Sequence, residues 1–129
     1  MKSKVKEERK KVDNPTEIGK CGEDIACEHL LKKGFNILKR NFHFGKLGEL
    51  DIVAEKDNTI VFVEVKFQTS DKFGDSHFWI TPSKQKKLRK AAEGYLFVNK
   101  WQNKSCRFDA IFIDFRYDPP KIDHIENAF

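Results

Sequence analysis

Two carboxylates and a lysine, Asp51, Glu64 and Lys66, are spaced so that they could act together at one site. Asp51 belongs to one apolar run, and Glu64 and Lys66 belong to the next. β-Branched and aromatic residues dominate both runs, so each is predicted to be a strand. A turn of two residues, Asp57-Asn58, or of four would place Asp51 opposite Glu64, with Cβ atoms about 5 Å apart. A three-residue turn would break this register.

Opposed carboxylates destabilise a strand pair unless a positive charge compensates them. The strand around Glu64 is apolar on both faces, which favours a central, covered strand where a lone acid is costly. A divalent cation bound by Asp51 and Glu64 would supply the charge, and Lys66, on the same face as Glu64, would add to it. In the same register Glu49 lies opposite Lys66. The alternative is an ordinary ion pair of Lys66 with Glu64 or Glu49 at a strand end.

The composition predicts one domain with a single modest core. The 129 residues are 35% charged and 39% apolar, with 12 Phe, and the formal net charge is +5. Residues 1–13 hold six Lys/Arg against three acids, so they carry +3 and the remaining body carries +2. This N-terminal stretch has no apolar periodicity and is predicted to be a flexible charged tail. Any argument for nucleic-acid binding must therefore depend on where the body places its lysines.

The chain carries no signal for a membrane or an oxidising compartment. No apolar run approaches ~18 residues, and the lysine-rich start lacks the hydrophobic region of a secretory signal. The three cysteines are an odd number without CxxC spacing. Free thiols in a reducing cytosol, and hence a cytoplasmic protein, are expected.

A first helix is predicted from Asn14, which caps it, to Lys33, with Gly34 ending it. Its apolar face is formed by Ile18, Gly22, Ile25, Ala26 and His29. Glu23 lies on the flank of this face, at the boundary between helix and sheet. Helical geometry does not distinguish a site residue from an ordinary surface acid at that position.

A second helix is predicted from Thr81, which caps it, with Pro82 in the first turn. Its core face is formed by Leu88, Ala91, Ala92, Tyr95 and Leu96. Five cations crowd its beginning: Lys84, Lys86, Lys87, Arg89 and Lys90. Cations there oppose the helix dipole, at a cost of ~0.3–1 kcal/mol each where exposed. Phosphates facing the helix start would explain them, and a merely solvated lysine-rich face is the alternative.

The remaining strands complete a mixed sheet. Residues 35–44 are predicted to form the first strand, and residues 68–80 are predicted to form a loop beside the Asp51–Glu64 hairpin. Residues 105–117 form a long strand that follows a helix, so a right-handed crossover placing it parallel to the third strand is favoured. Residues 122–129 could add a short edge strand.

The order helix, three strands, helix, strand, with D–x12–E–x–K on the hairpin, resembles the PD-(D/E)xK nuclease superfamily. More closely, the chain resembles the YraN-like family of small bacterial proteins, predicted endonucleases similar to archaeal Holliday-junction resolvases. The match spans about residues 14–129 and rests on these stretches: Gly19-x-x-Gly22-Glu23, Gly48-Glu49-Leu50-Asp51-Ile52-Val53, Val61-Phe62-Val63-Glu64-Val65-Lys66, Phe73-Gly74, Arg107-Phe108-Asp109 and His124-Ile125-Glu126-Asn127-Ala128-Phe129. Two departures are Gln68, where the family usually has Arg, and the extra tail before Asn14.

This resemblance implies an α/β fold with a restriction-endonuclease-like core, a mixed central sheet flanked by helices. It implies a metal-dependent endonuclease that hydrolyses phosphodiester bonds in DNA, including branched or junction structures. Mg²⁺ or Mn²⁺ would be bound by Asp51, Glu64 and the backbone carbonyl of Val65, and Lys66 would hold or help deprotonate the attacking water. Glu23 would resemble the resolvases' helix carboxylate, as a metal ligand or just outside the ligand shell.

Further roles are predicted for Glu49 from the hairpin register, for the lysines from their place at the start of the second helix, and for Gln68 from the family position that it occupies. Glu49 would orient Lys66. Nucleic acid would be contacted by Lys84, Lys86, Lys87, Lys90 and Gln68. DNA is a more plausible partner than RNA, and a homodimer is expected by analogy with resolvases, because cutting two strands of a junction needs two sites.

Two other functions fit the same fold. One is a module that grips nucleic acid without cutting it, and the other is a protein–protein adaptor whose acids are ion-paired. The fold alone does not distinguish these functions, because function depends on the site.

Overall fold

The computed structural model describes residues 15–70 and 79–129. The predicted tail, the cap at Asn14 and most of the predicted loop 68–80 lie outside the described residues. The elements are α1 (Pro15–Lys32), β1 (Asn36–Phe44), β2 (Gly48–Lys56), β3 (Thr59–Gln68), α2 (Pro82–Val98), β4 (Ser105–Asp114) and β5 (Lys121–Ile125). In the part of the chain that is described, neither helix offers a stretch long and apolar enough to cross a membrane.

The five strands form one mixed sheet in the order β1-β2-β3-β4-β5. The β3–β4 pair is parallel, as the crossover argument predicted, and the other three pairs are antiparallel. Asp57 and Asn58 have φ values of 52° and 60° and form a two-residue turn, the geometry typical of a type I′ hairpin. Val53 therefore pairs with Phe62, and the predicted hairpin register is confirmed there.

The two helices cover opposite faces of this sheet and form two apolar layers. On the α1 face the layer contains Ala26, Cys27, Leu30, Phe35, Ile52, Ala54, Val61, Val63, Ile111 and Ile113. On the α2 face it contains Leu50, Val53, Ile60, Phe62, Ile80, Leu88, Ala91, Ala92, Tyr95, Phe108, Ala110 and Phe112. The predicted α/β architecture, a mixed sheet flanked by helices, is confirmed.

The buried stripe of α1 is rotated from the predicted one. Cys27 and Leu30 are buried beside Ala26, whereas Ile25 and His29 are only half-buried. Cys27 and Leu30 face the sheet, and His29 lies at the flank, where its Nε2 is 3.2 Å from Nδ1 of His124. The three cysteines are free thiols, as predicted.

The predicted core face of α2 is confirmed, and so is its cap. The Thr81 hydroxyl accepts a hydrogen bond from the Lys84 backbone N–H at 3.2 Å. Two glycines allow the helix to lie directly on the sheet. A Cβ at Gly48 would come within 2.6 Å of the Lys87 carbonyl oxygen, and a Cβ at Gly94 would overlap the Phe44 ring. The start of β2 is therefore held against the first turns of α2.

Candidate active site

Asp51 lies where the β2–β3 pairing comes to an end. Regular pairing runs from Lys56 and Thr59 at the turn to Ile52 and Val63. One step further, the backbone N–H of Val65 donates to Asp51 Oδ2 at 2.9 Å. In an antiparallel ladder this N–H would donate to a backbone carbonyl. The Asp51 carboxylate thus takes the place of a main-chain acceptor, and the two strands separate beside it.

β2 also changes face at Asp51. Residues two apart on a regular strand point to the same side of the sheet. Leu50, however, packs in the α2 layer, whereas Ile52 packs in the α1 layer. The local irregularity frees the Asp51 side chain from the inward-outward alternation and lets it reach the edge of β3.

β1 has a matching irregularity at Asn41. Arg40 pairs with Ile52, Phe42 pairs with Leu50, and Asn41 between them has a left-handed φ of 53°. Asparagine is one of the few residue types other than glycine that adopts this conformation readily. Asn41 therefore lies beside Asp51 at a point where both strands depart from regular geometry, and sequence reasoning did not single it out.

Glu64 lies beside Asp51 on the α2 side of the sheet. Its side chain is only 6% exposed. Burial, a hydrogen bond with the Asp51 carboxyl and repulsion by the Asp51 charge raise the pKa of Glu64 to about 8. Two carboxyl groups can share such a hydrogen bond only while one of them holds a proton. The structure therefore brings Asp51 and Glu64 together.

Lys84, and not Lys66, is the cation paired with Glu64. Its Nζ lies 3.5 Å from Glu64 Oε2. Lys66 stands two residues after Glu64 on the same face of β3 and, like Lys84, lowers the pKa of Glu64 from the value that burial would give. Within residues 15–70 and 79–129 no ion pair joins Lys66 to Glu64 or Glu49. The simple strand-end ion pair considered as an alternative is therefore not formed there.

Glu49 is directed away from this cluster. Its Oε2 lies 3.2 Å from His43 Nδ1 on β1, and both side chains are more than half exposed. The predicted role of Glu49 in orienting Lys66 has no supporting contact, because Glu49 faces the neighbouring strand on the other side of β2.

Glu23 approaches Asp51 from the opposite face of the sheet. It belongs to α1, and its Oε1 lies 3.6 Å from Arg40 Nη2. Burial and the negative charge of Asp51 raise the pKa of Glu23, and Arg40 lowers it. Asp51 is therefore electrostatically coupled to both Glu23 and Glu64.

The donor set fits a hard divalent cation. No three His, Cys, Asp or Glu side chains of the described residues are grouped to hold a metal, so Glu23 is not placed as a third direct ligand. The carboxylates of Asp51 and Glu64 remain, with the Val65 carbonyl, which points to the same side of β3 as the Val65 N–H that contacts Asp51. Mg²⁺ is typically held by one or two carboxylates and several waters. Two carboxylates and one backbone carbonyl are therefore ligands of a suitable type and number for it.

The other residues predicted to contact nucleic acid divide into two groups. Lys86, Lys87 and Lys90 are exposed on α2. Gln68 is buried, and its Nε2 donates to the Ser70 carbonyl at 2.9 Å. Its described contact is therefore with the chain itself, at the start of the segment that follows β3.

A second buried polar cluster anchors the C-terminal strand. Asp109 is fully buried and accepts hydrogen bonds from His124 Nε2 at 2.9 Å, Arg107 Nε at 3.0 Å and the Asn127 backbone N–H at 3.1 Å. Burial would raise the pKa of Asp109, but these bonds outweigh it and lower the pKa. The cluster binds β5 to β4 and, through His29, to α1.

These features define an α/β domain whose acidic pair and lysines meet where two central strands separate. The chain belongs to the uncharacterised protein family UPF0102, whose model matches residues 22–113. A UPF0102 protein of Syntrophomonas wolfei is 46% identical over 113 residues, covering 88% of this chain and 97% of the relative. UPF0102 proteins of Thermodesulfovibrio yellowstonii and Caldicellulosiruptor saccharolyticus are 45% and 44% identical, covering 88% and 90% of this chain and 96% and 99% of their own lengths.

Proposed function

We propose that this protein is a metal-dependent endonuclease that hydrolyses phosphodiester bonds in DNA, on a restriction-endonuclease-like core. Branched DNA such as a four-way junction is the proposed substrate. The observation that carries the proposal is the contact between Asp51 and the buried Glu64, at the separation of β2 and β3. A buried carboxyl group with a raised pKa beside a second acid, here Glu64 beside Asp51, is typical of functional sites.

Asp51, Glu64 and the Val65 carbonyl would hold Mg²⁺ or Mn²⁺. When bound, the ion supplies Lewis-acid activation of the phosphodiester and of a water nucleophile. The chain itself positions two carboxylate groups, that of Asp51 on β2 and that of Glu64 on β3. Asp51 is held by the Val65 N–H, so the carboxylate is positioned before any ion binds. Glu23 would act through Asp51 or a bound water, because it reaches the site from the α1 face.

Lys66 has the freedom that a water-positioning group needs. It lies on the same face as Glu64, and none of the ion pairs among the described residues engages its ammonium. From there it can hold the attacking water and stabilise the negative charge that develops on the phosphoryl oxygens. Glu49 is assigned no part in this step, since its partner is His43.

The DNA-binding surface would be the exposed face of α2. Lys86, Lys87 and Lys90 project from the first half of a helix that has no acidic residue in its first turn. Lysines and free backbone N–H groups at a helix start are typical phosphate ligands. Because the same helix delivers Lys84 to Glu64, a phosphate bound at its start would lie beside the acidic pair.

The second candidate function is a module on the same fold that binds nucleic acid without cutting it. The Lys84–Glu64 ion pair favours this alternative, because it compensates the buried carboxylate without a metal ion. The two functions make the same prediction for binding and opposite predictions for cleavage.

Cleavage of linear, flapped and four-way-junction DNA in Mg²⁺, Mn²⁺ or EDTA tests the proposal. We expect cutting that requires the metal and is lost in Asp51→Asn and Lys66→Ala. Matched controls are Asp57→Asn, in the turn at the far end of β2, and Lys46→Ala, in an exposed turn; both should cut like the wild type. Tight binding of the wild type with no metal-dependent cutting of any of the three substrates would overturn the nuclease and favour the binding module.

A further inference from the structure

Lys84 occupies an unusual position for a lysine in the first turn of a helix. Its side chain is 37% exposed, yet its Nζ lies 3.5 Å from a carboxylate that is only 6% exposed. The first turn of α2 contains no acidic residue that could neutralise it. The carboxylate that does so comes from β3, on a different element, and is one of the two predicted metal ligands.

The backbone of Lys84 is fixed while its side chain is not. Its N–H donates to the Thr81 hydroxyl at 3.2 Å, which fixes the first turn of α2, and the close approach of Gly48 to the Lys87 carbonyl places this end of the helix against β2. The side chain, by contrast, has four rotatable bonds and is partly exposed to solvent. The ammonium can leave Glu64 without any change in the fold.

An ammonium at this distance and a divalent cation would compete for the same carboxylate. A Mg²⁺ or Mn²⁺ ligand lies about 2.1 Å from its metal, so the ion and Nζ would stand within a few ångströms of each other. Their mutual repulsion in this buried surrounding would be substantial. A phosphate at the start of α2 would remove the conflict by giving the ammonium a new partner.

We propose that Lys84 is a tethered counter-ion of the site, which holds Glu64 in the metal-free protein and moves to a DNA phosphate when the divalent cation binds. This inference rests on the proposed function, because it requires the metal site. Its consequence is positive coupling between metal and DNA. By linkage, each ligand strengthens the binding of the other by the same factor.

The first test measures Mn²⁺ binding to the full chain, without DNA, by isothermal titration calorimetry. We expect Lys84→Gln to bind Mn²⁺ about fivefold tighter than the wild type or more, since it lacks the competing charge. Lys84→Arg keeps the charge and should stay close to the wild type. Lys46→Gln, which removes an exposed charge from the turn between β1 and β2, is the matched control and should change affinity less than twofold.

The second test measures the affinity for a four-way junction with and without Ca²⁺, an oxygen-seeking probe ion, by fluorescence anisotropy. DNA integrity is checked afterwards on a gel. We expect Ca²⁺ to strengthen DNA binding by the wild type and by Lys46→Gln. The gain should be smaller for Lys84→Gln, because its site no longer depends on a phosphate to release a lysine.

The outcomes separate this inference from the proposed function. Equal or weaker Mn²⁺ binding by Lys84→Gln, in a protein whose wild type binds Mn²⁺, overturns the counter-ion role and leaves the nuclease in place. Absence of Mn²⁺ binding in both proteins overturns the metal site and the inference with it. Thermal unfolding confirms that each variant is folded, and Lys84→Met replaces Lys84→Gln in both titrations if the latter is not.

Discussion

Asp51 Oδ2 lies 2.9 Å from the backbone nitrogen of Val65, so a candidate metal ligand on β2 also takes part in the hydrogen bonding between β2 and β3. The carboxylate closes the end of the β2–β3 ladder on one side and faces Glu64 on the other. A residue with both duties should show two kinds of defect when it is replaced, one in stability and one in cation binding.

Asp51→Ala should lower the free energy of unfolding by about 1–3 kcal/mol, because it leaves the Val65 N–H without its acceptor. Asp51→Asn retains a side-chain oxygen at the same place and should cost less. Both variants should lose Mn²⁺ binding. Urea unfolding at neutral pH measures the difference in stability, with Asp57→Asn as the control. Equal stability of the Ala and Asn variants would show that the Val65 bond contributes nothing to the fold.

Glu64→Gln should make the metal-free protein more stable at pH 8. The folded-state pKa of Glu64 is raised from 4.5 to about 8. The stability that the protonated carboxyl group contributes to the fold is therefore fully present below about pH 4.5 and is lost as the pH rises to about 8. Glutamine does not titrate and keeps a hydrogen-bonding amide. Loss of the Lys84 ion pair offsets part of the gain, so we expect an advantage of about 1–3 kcal/mol at pH 8.

The measurement is urea unfolding of both proteins between pH 5 and pH 8.5 in EDTA. The advantage of Glu64→Gln should shrink steadily towards pH 5. Glu23, whose pKa is also raised, titrates in both proteins and cancels in the comparison. Added Mg²⁺ should stabilise the wild type at pH 8 and leave Glu64→Gln unchanged. If Glu64→Gln is less stable than the wild type at pH 8, the ionised Glu64 carboxylate does not destabilise the fold, and the prediction is wrong.

Two glycine-to-alanine substitutions should differ in their effect on stability, because only the one at Gly48 should destabilise the protein. At Gly48 the new Cβ would lie 2.6 Å from the Lys87 carbonyl oxygen, so the start of β2 and α2 must move apart, at a cost of about 1–3 kcal/mol. At Gly22 the nearest atom is a Phe67 ring carbon at 3.5 Å, an ordinary contact. Gly22→Ala should therefore be neutral or stabilise α1 by up to ~1 kcal/mol. Thermal unfolding of the two variants side by side checks the pair.

Gly48→Ala should also weaken Mn²⁺ binding, because the displaced strand carries Asp51. Gly22→Ala, on the other face of the sheet, serves as the control for this effect. Unchanged stability in Gly48→Ala would mean that the close approach of β2 to α2 is not required in solution.

The effect of substitutions at Asn41 on stability should depend on the left-handed backbone conformation of that residue. With a φ of 53°, Asn41→Ala should lose about 1 kcal/mol through strain, whereas Asn41→Gly should keep the backbone and lose only the amide side chain. The expected order of stability is therefore Asn41→Gly above Asn41→Ala, measured by urea unfolding. The reverse order of stability would argue against the left-handed backbone conformation at Asn41, and against the idea that this irregularity helps to position the Asp51 side chain.

Much of the fold was predictable because its determinants are local. The Asp57-Asn58 turn accommodates two left-handed residues, which sets the hairpin register. Thr81 and Pro82 mark the start of α2 as predicted. The stripe of α1 was predicted less accurately, since the orientation of a helix depends on the surface beneath it. There Cys27 and Leu30 are buried against the sheet, and His29 is directed towards His124 instead.

The sequence by itself determined the hairpin register as far as Ile52 and Val63, because turn length and strand alternation are properties of neighbouring residues, and this register placed Asp51 and Glu64 near each other. Only the tertiary structure decided which lysine forms an ion pair with Glu64. Lys84 and Glu64 are twenty residues apart on different elements, and their distance depends on how α2 packs on the sheet, through contacts such as that of Gly48 with Lys87. The face change at Asn41 and Asp51 likewise arises from the pairing of two strands with each other and from neither strand alone.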